Sequence, residues 1–218
     1  MTDAGLVVFD LDGTLVDSSV DLANAVNALV VELGSPPLPD KEIISMVGEG
    51  AGVLVRRALT AAALDPDTPQ ALERFLAHYD PHLLDHTRPY PGMIDTLDTI
   101  GAHVPMAVLT NKPARATALM LEGLGLRGYF QTVVGGDTAF GRKPGPAGLL
   151  HLAQDAGVTP ARVLMVGDSQ VDLATARNAG TQICLARYGF GYRFAPEDFR
   201  GDEMLVDSPR ELTALLNL

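Results

Sequence analysis

Acidic, hydroxyl and amide side chains follow three short apolar runs of this 218-residue sequence. The residues concerned are Asp10, Asp12, Thr110, Asn111, Asp168 and Asp172. Open α/β sheets bind ligands beyond the carboxyl ends of their strands, so we expect these side chains to meet at one edge if the runs are strands. Ionised carboxylates about 4 Å apart repel each other by about 4 kcal/mol when the effective dielectric constant is about 20. We therefore expect a cation between them, and oxygen donors without Cys or His favour Mg²⁺.

Lys143 brings the opposite charge to a position where a cation is unfavourable. It precedes a stretch that we predict to be helical, and Pro144 suits the first turn of such a helix. The helix dipole places partial positive charge at this end, so we expect the lysine to point at anions such as carboxylates and a phosphate. Mg²⁺, a lysine, a threonine hydroxyl and free helix N-termini together predict a site for phosphoryl chemistry.

Five apolar runs without polar alternation are predicted to be buried strands, because helices cover both faces of a parallel sheet. They are residues 6–9, 104–109, 132–134, 163–166 and 182–185. Between the later runs we predict helices at residues 114–124, 146–156 and 171–179. This strand-helix rhythm predicts right-handed crossovers and an α/β fold built on a doubly wound parallel sheet.

The stretch between the first two predicted strands is far longer than one crossover helix requires. Apolar residues recur there at helical spacing in three segments, which Gly and Pro residues separate. We therefore predict an all-helical lobe at residues 16–86, inserted into an α/β core of residues 1–15 and 87–218. A lobe tethered to the core at both ends implies a cleft between the two.

Composition narrows the choice of partners and compartment. The chain carries 27 acidic and 16 basic residues, and this net charge of −11, without a Lys/Arg cluster, predicts no nucleic-acid partner. No apolar stretch approaches the about 20 residues of a membrane span, and residues 1–5 do not resemble a secretory signal. The single cysteine, Cys184, is predicted to be a small buried hydrophobe, and without a disulfide the cytoplasm is the expected compartment. Both a monomer and a homodimer fit these features.

Other interpretations of single residues stay open. His78, His82 and His86 recur at every fourth position, which on one helix would align imidazoles as in some zinc sites. Pro81 and the lack of a helical Glu partner argue against zinc, so we interpret these histidines as a polar outer face of the lobe. Asp168 and the other polar residues after strands also suit helix caps, and capping is compatible with ligand binding.

Four motifs of this sequence resemble those of the haloacid dehalogenase-like hydrolases, in the same order along the chain. They are Asp10-Leu11-Asp12-Gly13-Thr14-Leu15, Thr110-Asn111, Lys143-Pro144 and Gly167-Asp168-Ser169 with Asp172. The helical lobe follows the first motif, where subfamily I of that family carries its cap. Within that subfamily, three further segments are similar to bacterial phosphoglycolate phosphatases. These segments are residues 47–59, 108–113 and 188–192.

The resemblance implies a Mg²⁺-dependent phosphatase that hydrolyses 2-phosphoglycolate to glycolate and phosphate through an aspartyl-phosphate. The substrate would be a small phosphorylated metabolite. A phosphatase of pyrophosphate or sugar phosphates, and a β-phosphoglucomutase-like phosphotransferase, are the near alternatives. A regulatory module that binds a phosphate ligand without turnover is the alternative that is not an enzyme.

The resemblance also implies roles for the motif residues. Asp10 would be the nucleophile and Asp12 the general acid and base, and this second carboxylate favours phosphate esters because it protonates an alkoxide leaving group. Thr110 and Lys143 would complete the catalytic set. Substrate contacts would come from Gly13, Thr14, Asn111, Gly48, Gly50 and Arg57, with the last reading the substrate carboxylate. Mg²⁺ would be held by Asp10, the backbone carbonyl of Asp12, Asp168 and, directly or through its neighbours, Asp172.

Overall fold

Six parallel strands form one sheet in the computed structural model, which describes residues 3–218. The order across the sheet is β5-β4-β1-β6-β7-β8, where the numbers follow the chain. The strands of the whole structure are β1 (Leu6–Phe9), β2 (Val16–Asp17), β3 (Arg88–Pro89), β4 (Met106–Leu109), β5 (Thr132–Val134), β6 (Val163–Gly167), β7 (Gln182–Ala186) and β8 (Met204–Val206). The predicted α/β fold with a parallel sheet is confirmed. Met1 and Thr2, which belong to the predicted core and to the residues 1–5 that do not resemble a secretory signal, lie outside the described residues.

Both faces of the sheet are covered, which explains the unbroken apolar runs. In β1, Val7 and Phe9 join one hydrophobic cluster and Leu6 and Val8 join another, because successive side chains point to opposite faces. All four residues are buried. The sheet is therefore doubly wound, as predicted.

Nine helices accompany these strands in residues 3–218. They are α1 (Ser19–Glu32), α2 (Asp40–Ile44), α3 (Ala51–Ala61), α4 (Ala71–Tyr79), α5 (Met93–Gly101), α6 (Ala114–Gly123), α7 (Ala147–Asp155), α8 (Gln170–Ala179) and α9 (Glu211–Leu215). Helices α5, α6 and α9 contribute to the cluster on one face, and α7 and α8 to the cluster on the other. The three helices predicted between the later strands are α6, α7 and α8.

Two expectations about element bounds need correction, and two elements were not predicted. The strand predicted from residue 104 begins at Met106, because Pro105 has no N–H for the ladder. Pro144 does not lie in the first turn of a helix, since α7 begins at Ala147. The edge strand β8 and the short helix α9 were not predicted; α9 has only five residues, too few for a periodic signal.

The predicted lobe contains the helices α1 to α4, and a short antiparallel ladder joins the chain on either side of it. Val16 pairs with Pro89 and Asp17 pairs with Arg88 in this two-stranded sheet. Nearby, the buried Asp21 carboxylate accepts hydrogen bonds from the backbone N–H groups of His86 and Thr87, so the start of α1 holds the returning chain. The bounds 16 and 86 remain a prediction.

The three histidines of the predicted lobe lie on separate elements. His78 belongs to α4 and pairs with Glu32, whereas His82 lies in a 3₁₀ turn and pairs with Asp85. His86 follows both and belongs to no helix. In residues 3–218 no helix is both long enough and apolar enough to cross a membrane.

Candidate active site

The predicted meeting of polar residues at one sheet edge is confirmed. Strands β4, β1 and β6 are neighbours, so Thr110, Asp10 and Asp168, which follow them, come together. Asp172 joins them from the first turn of α8. Carboxylate oxygens of Asp10, Asp168 and Asp172 all lie within 4.8 Å of one another, and all three residues are buried.

Asp10 is held by its own backbone and by a lysine. Its Oδ1 accepts a hydrogen bond from Leu11 N at 2.7 Å and lies 2.8 Å from Lys143 Nζ. Burial raises the pKa of Asp10 to about 7; Lys143 opposes this shift and Asp172 adds to it. Among the described residues, Oδ2 has no hydrogen-bond partner, so one oxygen is left for an electrophile or a cation.

Lys143 points at anions, as predicted from its position in the sequence. Its ammonium lies 2.8 Å from Asp10 and 2.6 Å from Asp172. Burial alone would lower the lysine pKa, but the two carboxylates outweigh burial and raise it above its ordinary value. Lys143 is therefore a fixed positive charge beside Asp10.

Asn111 holds the backbone of that lysine in place. Its Oδ1 accepts from Lys143 N at 2.8 Å, and its Nδ2 donates to Lys143 O and to Gly48 O, each at 3.0 Å. Both amide protons are thus engaged with carbonyl oxygens, and the Gly48 contact joins the predicted lobe to the core. This arrangement favours a positioning role for Asn111 over the predicted contact of its amide with the phosphate.

Asp172 belongs to a capping box at the start of α8. Its Oδ2 accepts from Asp168 N at 3.2 Å, Ser169 N at 3.0 Å and Ser169 Oγ at 2.6 Å, while its Oδ1 accepts from Lys143. The capping interpretation is therefore confirmed, and the same carboxylate also contacts Lys143 of the candidate site. Because donors already occupy both oxygens, the structure favours the indirect role that the sequence left open.

Asp168 sits in a cradle of glycines. Gly191 N donates to its Oδ2 at 2.7 Å, and Thr14 Oγ1 lies 3.4 Å from its Oδ1. A Cβ atom on Gly13, whose φ is +87°, would lie 2.0 Å from Oδ2 of this carboxylate, and one on Gly189 would lie 2.5 Å from the same oxygen. Gly13 and Thr14 thus shape the surroundings of Asp168, and their contact with the substrate stays a prediction.

The donor set fits a divalent cation. Burial raises the pKa of Asp168 well above its ordinary value, and the negative charges of Asp172 and Asp10 raise it further. A single ammonium, that of Lys143, faces three buried carboxylates. Hard oxygen donors with an unbalanced negative charge are what Mg²⁺ prefers in proteins.

Asp12 opens toward the predicted lobe and contacts a buried lysine that the sequence analysis did not single out. Lys112 Nζ lies 3.2 Å from Asp12 Oδ2, and it donates to Tyr79 Oη at 2.7 Å. Ser18 Oγ donates to Asp12 Oδ1 at 2.6 Å. Burial disfavours the ammonium, but Asp12 and Tyr79 raise the pKa of Lys112 above its ordinary value. The position of Lys112, two residues after Thr110 and close to the end of β4, was the sequence feature that could have indicated its place in the site.

A cavity of about 50 Å³ lies between these residues and the lobe. Its walls come from both sides: Asp10, Asp12, Thr110, Asn111 and Lys112 from the core, and Leu22, Gly48, Gly50, Leu54, Phe75, Leu76 and Tyr79 from the lobe. The predicted lobe glycines therefore do reach the site.

Arg57 does not reach this cavity. Its guanidinium is exposed, pairs with Glu49 and donates to Met46 O at 3.2 Å. Its neighbour Arg56 pairs with Asp67 at the surface. Helix α3 buries Leu54, Val55, Ala58 and Leu59, and this leaves both arginines on its outer face. The structure therefore does not bring Arg57 together with the other predicted site residues.

The acidic residues and the lysine thus lie at the carboxyl edge of a parallel α/β sheet, where open sheets of this kind bind their ligands. The family model for the haloacid dehalogenase-like hydrolases matches residues 7–186 of this chain. The chain belongs to this family.

Individual relatives agree with this assignment. The phosphoglycolate phosphatase of Chromobacterium violaceum is 44% identical over 215 residues, covering 96% of this chain and 95% of that protein. The phosphoglycolate phosphatase of Pseudomonas putida is 42% identical, covering 95% of this chain and 78% of that protein. A crystal structure described as a predicted phosphoglycolate phosphatase from Haemophilus somnus superposes with a TM-score of 0.90 at 30% identity, covering 99% of both chains.

Proposed function

We propose that this chain is a Mg²⁺-dependent phosphatase that hydrolyses 2-phosphoglycolate to glycolate and phosphate. The observation that carries the proposal is one small cavity onto which both Asp10 and Asp12 open. Asp10 is buried beside a fixed ammonium, and Asp12 stands on the other side of the same turn. A nucleophilic carboxylate and a second carboxylate for proton transfer are the two groups that hydrolysis through a covalent intermediate requires.

Asp10 starts the reaction by attacking phosphorus in line. The bond from phosphorus to the leaving oxygen breaks, and Asp12 passes its proton to that oxygen, so that glycolate departs as an alcohol. Water then attacks the aspartyl-phosphate, Asp12 takes a proton from this water, and the bond from phosphorus to Asp10 breaks. Phosphate leaves and both carboxylates return to their starting state.

Neighbouring groups stabilise the transferring phosphoryl group. Lys143 places its charge 2.8 Å from Oδ1 of Asp10, in the same carboxylate as the attacking Oδ2. The Thr110 hydroxyl accepts from Lys112 N at 3.2 Å and keeps its own proton for a phosphate oxygen. Mg²⁺ held by Asp10, Asp168 and the carbonyl of Asp12 would add positive charge at the phosphate. Asp172 would act by orienting Lys143 and the turn around Asp168.

The choice of substrate rests on the named relatives. Relatives at 40–44% identity are named phosphoglycolate phosphatases. A small phosphorylated metabolite as the partner and a cytoplasmic location complete the proposal; the single buried cysteine needs no oxidising compartment.

The proposal is tested by measuring phosphate release with Mg²⁺ from 2-phosphoglycolate, pyrophosphate, glucose phosphates and p-nitrophenyl phosphate. We expect kcat/KM to be highest for 2-phosphoglycolate, and Asp10→Asn to lower kcat at least about 10³-fold with the fold intact. Asp202→Asn, at an exposed position, is the matched control. Preference for another ester would replace the substrate, transfer within a sugar phosphate would indicate a phosphotransferase, and no release from any ester would favour a binding module.

A further inference from the structure

We propose that Lys112 is the residue that reads the substrate carboxylate, a role for which the sequence had suggested Arg57. The inference rests on the proposed function and assigns the specificity of the same site. Lys112 is the single cation among the residues that line the cavity in the described part of the chain. The other charged residues of the lining, Asp10 and Asp12, are acidic and would repel the carboxylate of 2-phosphoglycolate.

The ammonium of Lys112 has a donor to spare. A lysine carries three N–H donors. Among residues 3–218, Nζ finds two partners: the Asp12 carboxylate, at 3.2 and 3.3 Å, and the Tyr79 hydroxyl at 2.7 Å. The side chain is only 5% exposed, so water does not surround the remaining donor. An anionic oxygen in the cavity would complete the set.

The surroundings of Lys112 hold its position. The ammonium lies 4.6 Å from the centre of the Tyr79 ring, which packs against Phe75 in α4. Pro113 and the lobe residues Phe75 and Leu76 add apolar wall to the cavity beside it. A charge pair in such a water-poor pocket is stronger than at the protein surface.

The covalent structure of the substrate matches this placement. Asp12 delivers its proton to the ester oxygen, and Lys112 lies 3.2 Å from that carboxylate. In 2-phosphoglycolate the carboxylate carbon is two bonds from the ester oxygen, a separation of roughly 2.5 Å. A cation next to the proton donor therefore stands within reach of a carboxylate on the adjacent carbon, and not of one at the far end of a longer chain.

Other cations are less suitable. Lys143 is committed to Asp10 and Asp172, at the phosphate end of the site. Arg57 is exposed and pairs with Glu49 outside the cavity. Arg142 lies behind Gly50, where its Nε donates to Gly136 O at 3.1 Å. The position and the charge of Lys112 together thus favour it as the residue that binds the substrate carboxylate.

The test compares 2-phosphoglycolate with ethyl phosphate, which has the same two carbons and no carboxylate. We expect wild-type protein to prefer 2-phosphoglycolate, and Lys112→Met to lower kcat/KM for 2-phosphoglycolate at least about 30-fold more than for ethyl phosphate. Lys112→Arg, which keeps a cation, should restore part of the preference. Lys41→Met, at an exposed position of α2, controls for the loss of a lysine.

The outcomes separate this inference from the proposed function. If wild-type protein does not prefer 2-phosphoglycolate, the substrate proposal itself fails, and carboxylate reading with it. If wild-type protein prefers it but Lys112→Met loses activity equally on both esters, Lys112 serves only to position Asp12 and the inference is overturned. Loss of preference in Arg57→Met instead would overturn it in favour of that arginine. Should Lys112→Met fail to fold, as circular dichroism would reveal, Lys112→Gln gives the same comparison with the charge removed and a donor kept.

Discussion

Lys143 Nζ lies 2.6 Å from Asp172 Oδ1, and this contact joins the capping box of α8 to the base of the active site. The same ammonium reaches Asp10 at 2.8 Å. A helix terminus therefore determines where the charge beside the proposed nucleophile stands.

Asp172→Asn should destabilise the protein by about 3 kcal/mol, because it leaves the buried Lys143 with one carboxylate partner fewer and turns an amide toward other donors. Urea unfolding measures the change. The control is Asp202→Asn, at an exposed position. We also expect kcat to fall more than the Mg²⁺ requirement rises, since both Asp172 oxygens are already occupied by donors. A Mg²⁺ requirement that rises as much as in Asp168→Asn would identify Asp172 as a direct ligand.

Gly189→Ala should weaken metal binding. A Cβ atom there would lie 2.3 Å from Gly13 O and from the Cβ of Asp168, so this carboxylate or its turn must shift. We expect the Mg²⁺ concentration for half-maximal activity to rise about tenfold and stability to fall by about 1–3 kcal/mol. Gly128→Ala is the matched control, because nothing lies within 4 Å of a Cβ at that position. Equal behaviour of the two variants would contradict the proposed packing of Gly189 on Asp168.

Metal binding should strengthen with pH. Without metal, burial raises the pKa of Asp10 from 3.8 to about 7, so the folded state favours the protonated carboxyl. The protonated Asp10 carboxyl therefore contributes fully to the free energy of unfolding below 3.8, the pKa of Asp10 in the unfolded chain. This contribution is lost as pH rises through about 7, the pKa of Asp10 in the folded protein. Mg²⁺ must displace that proton, so its apparent affinity should fall about tenfold for each pH unit below 7. The increase in Tm with Mg²⁺, measured at about pH 6 and pH 8, should be larger at the higher pH, and a constant increase would refute the assignment.

Cys184 should resist thiol reagents until the protein unfolds. Its side chain is fully buried in β7, and burial raises its pKa to about 12 from 9.0. At a fixed pH below 9, this shift lowers the thiolate fraction about 10³-fold, and the reagent must also reach a buried strand. Labelling by a chromogenic disulfide should therefore follow global unfolding, which denaturant titration of the same protein measures. Rapid labelling of the native protein would show local opening of β7.

The strands that position the site could be predicted because they are buried on both faces. The pattern Leu6-Val7-Val8-Phe9 carries this information locally, and the polar residues after each strand mark the ligand edge. Strand β2 has only two residues, so its pairing depends on a distant partner that a sequence pattern does not show.

Arg57 and Lys112 show why the position of a charged side chain is hard to predict from sequence. Arg57 follows Arg56 and Lys112 follows Asn111, and these local sequences do not say which of the two side chains turns inward. Helix α3 buries the side occupied by Leu54 and Ala58, which places Arg57 at the surface. Lys112 ends inside because Asp12 and Tyr79 supply hydrogen-bond partners from two distant segments. Local sequence periodicity does not predict that residues distant in sequence will supply the partners of a buried charge.

The pairing of Val16 with Pro89 and of Asp17 with Arg88 closes the base of the helical segment inserted between β2 and β3, which is called the excursion below. Antiparallel partners lie about 5 Å apart, so the segment leaves and re-enters the core at practically one point. The carboxylate edge after β1, β4 and β6 belongs to the core, whereas the wall that carries Gly48, Phe75 and Tyr79 belongs to the excursion. Evolution can therefore replace the inserted segment, and so change which ester the cavity binds, while the catalytic residues of the core stay the same.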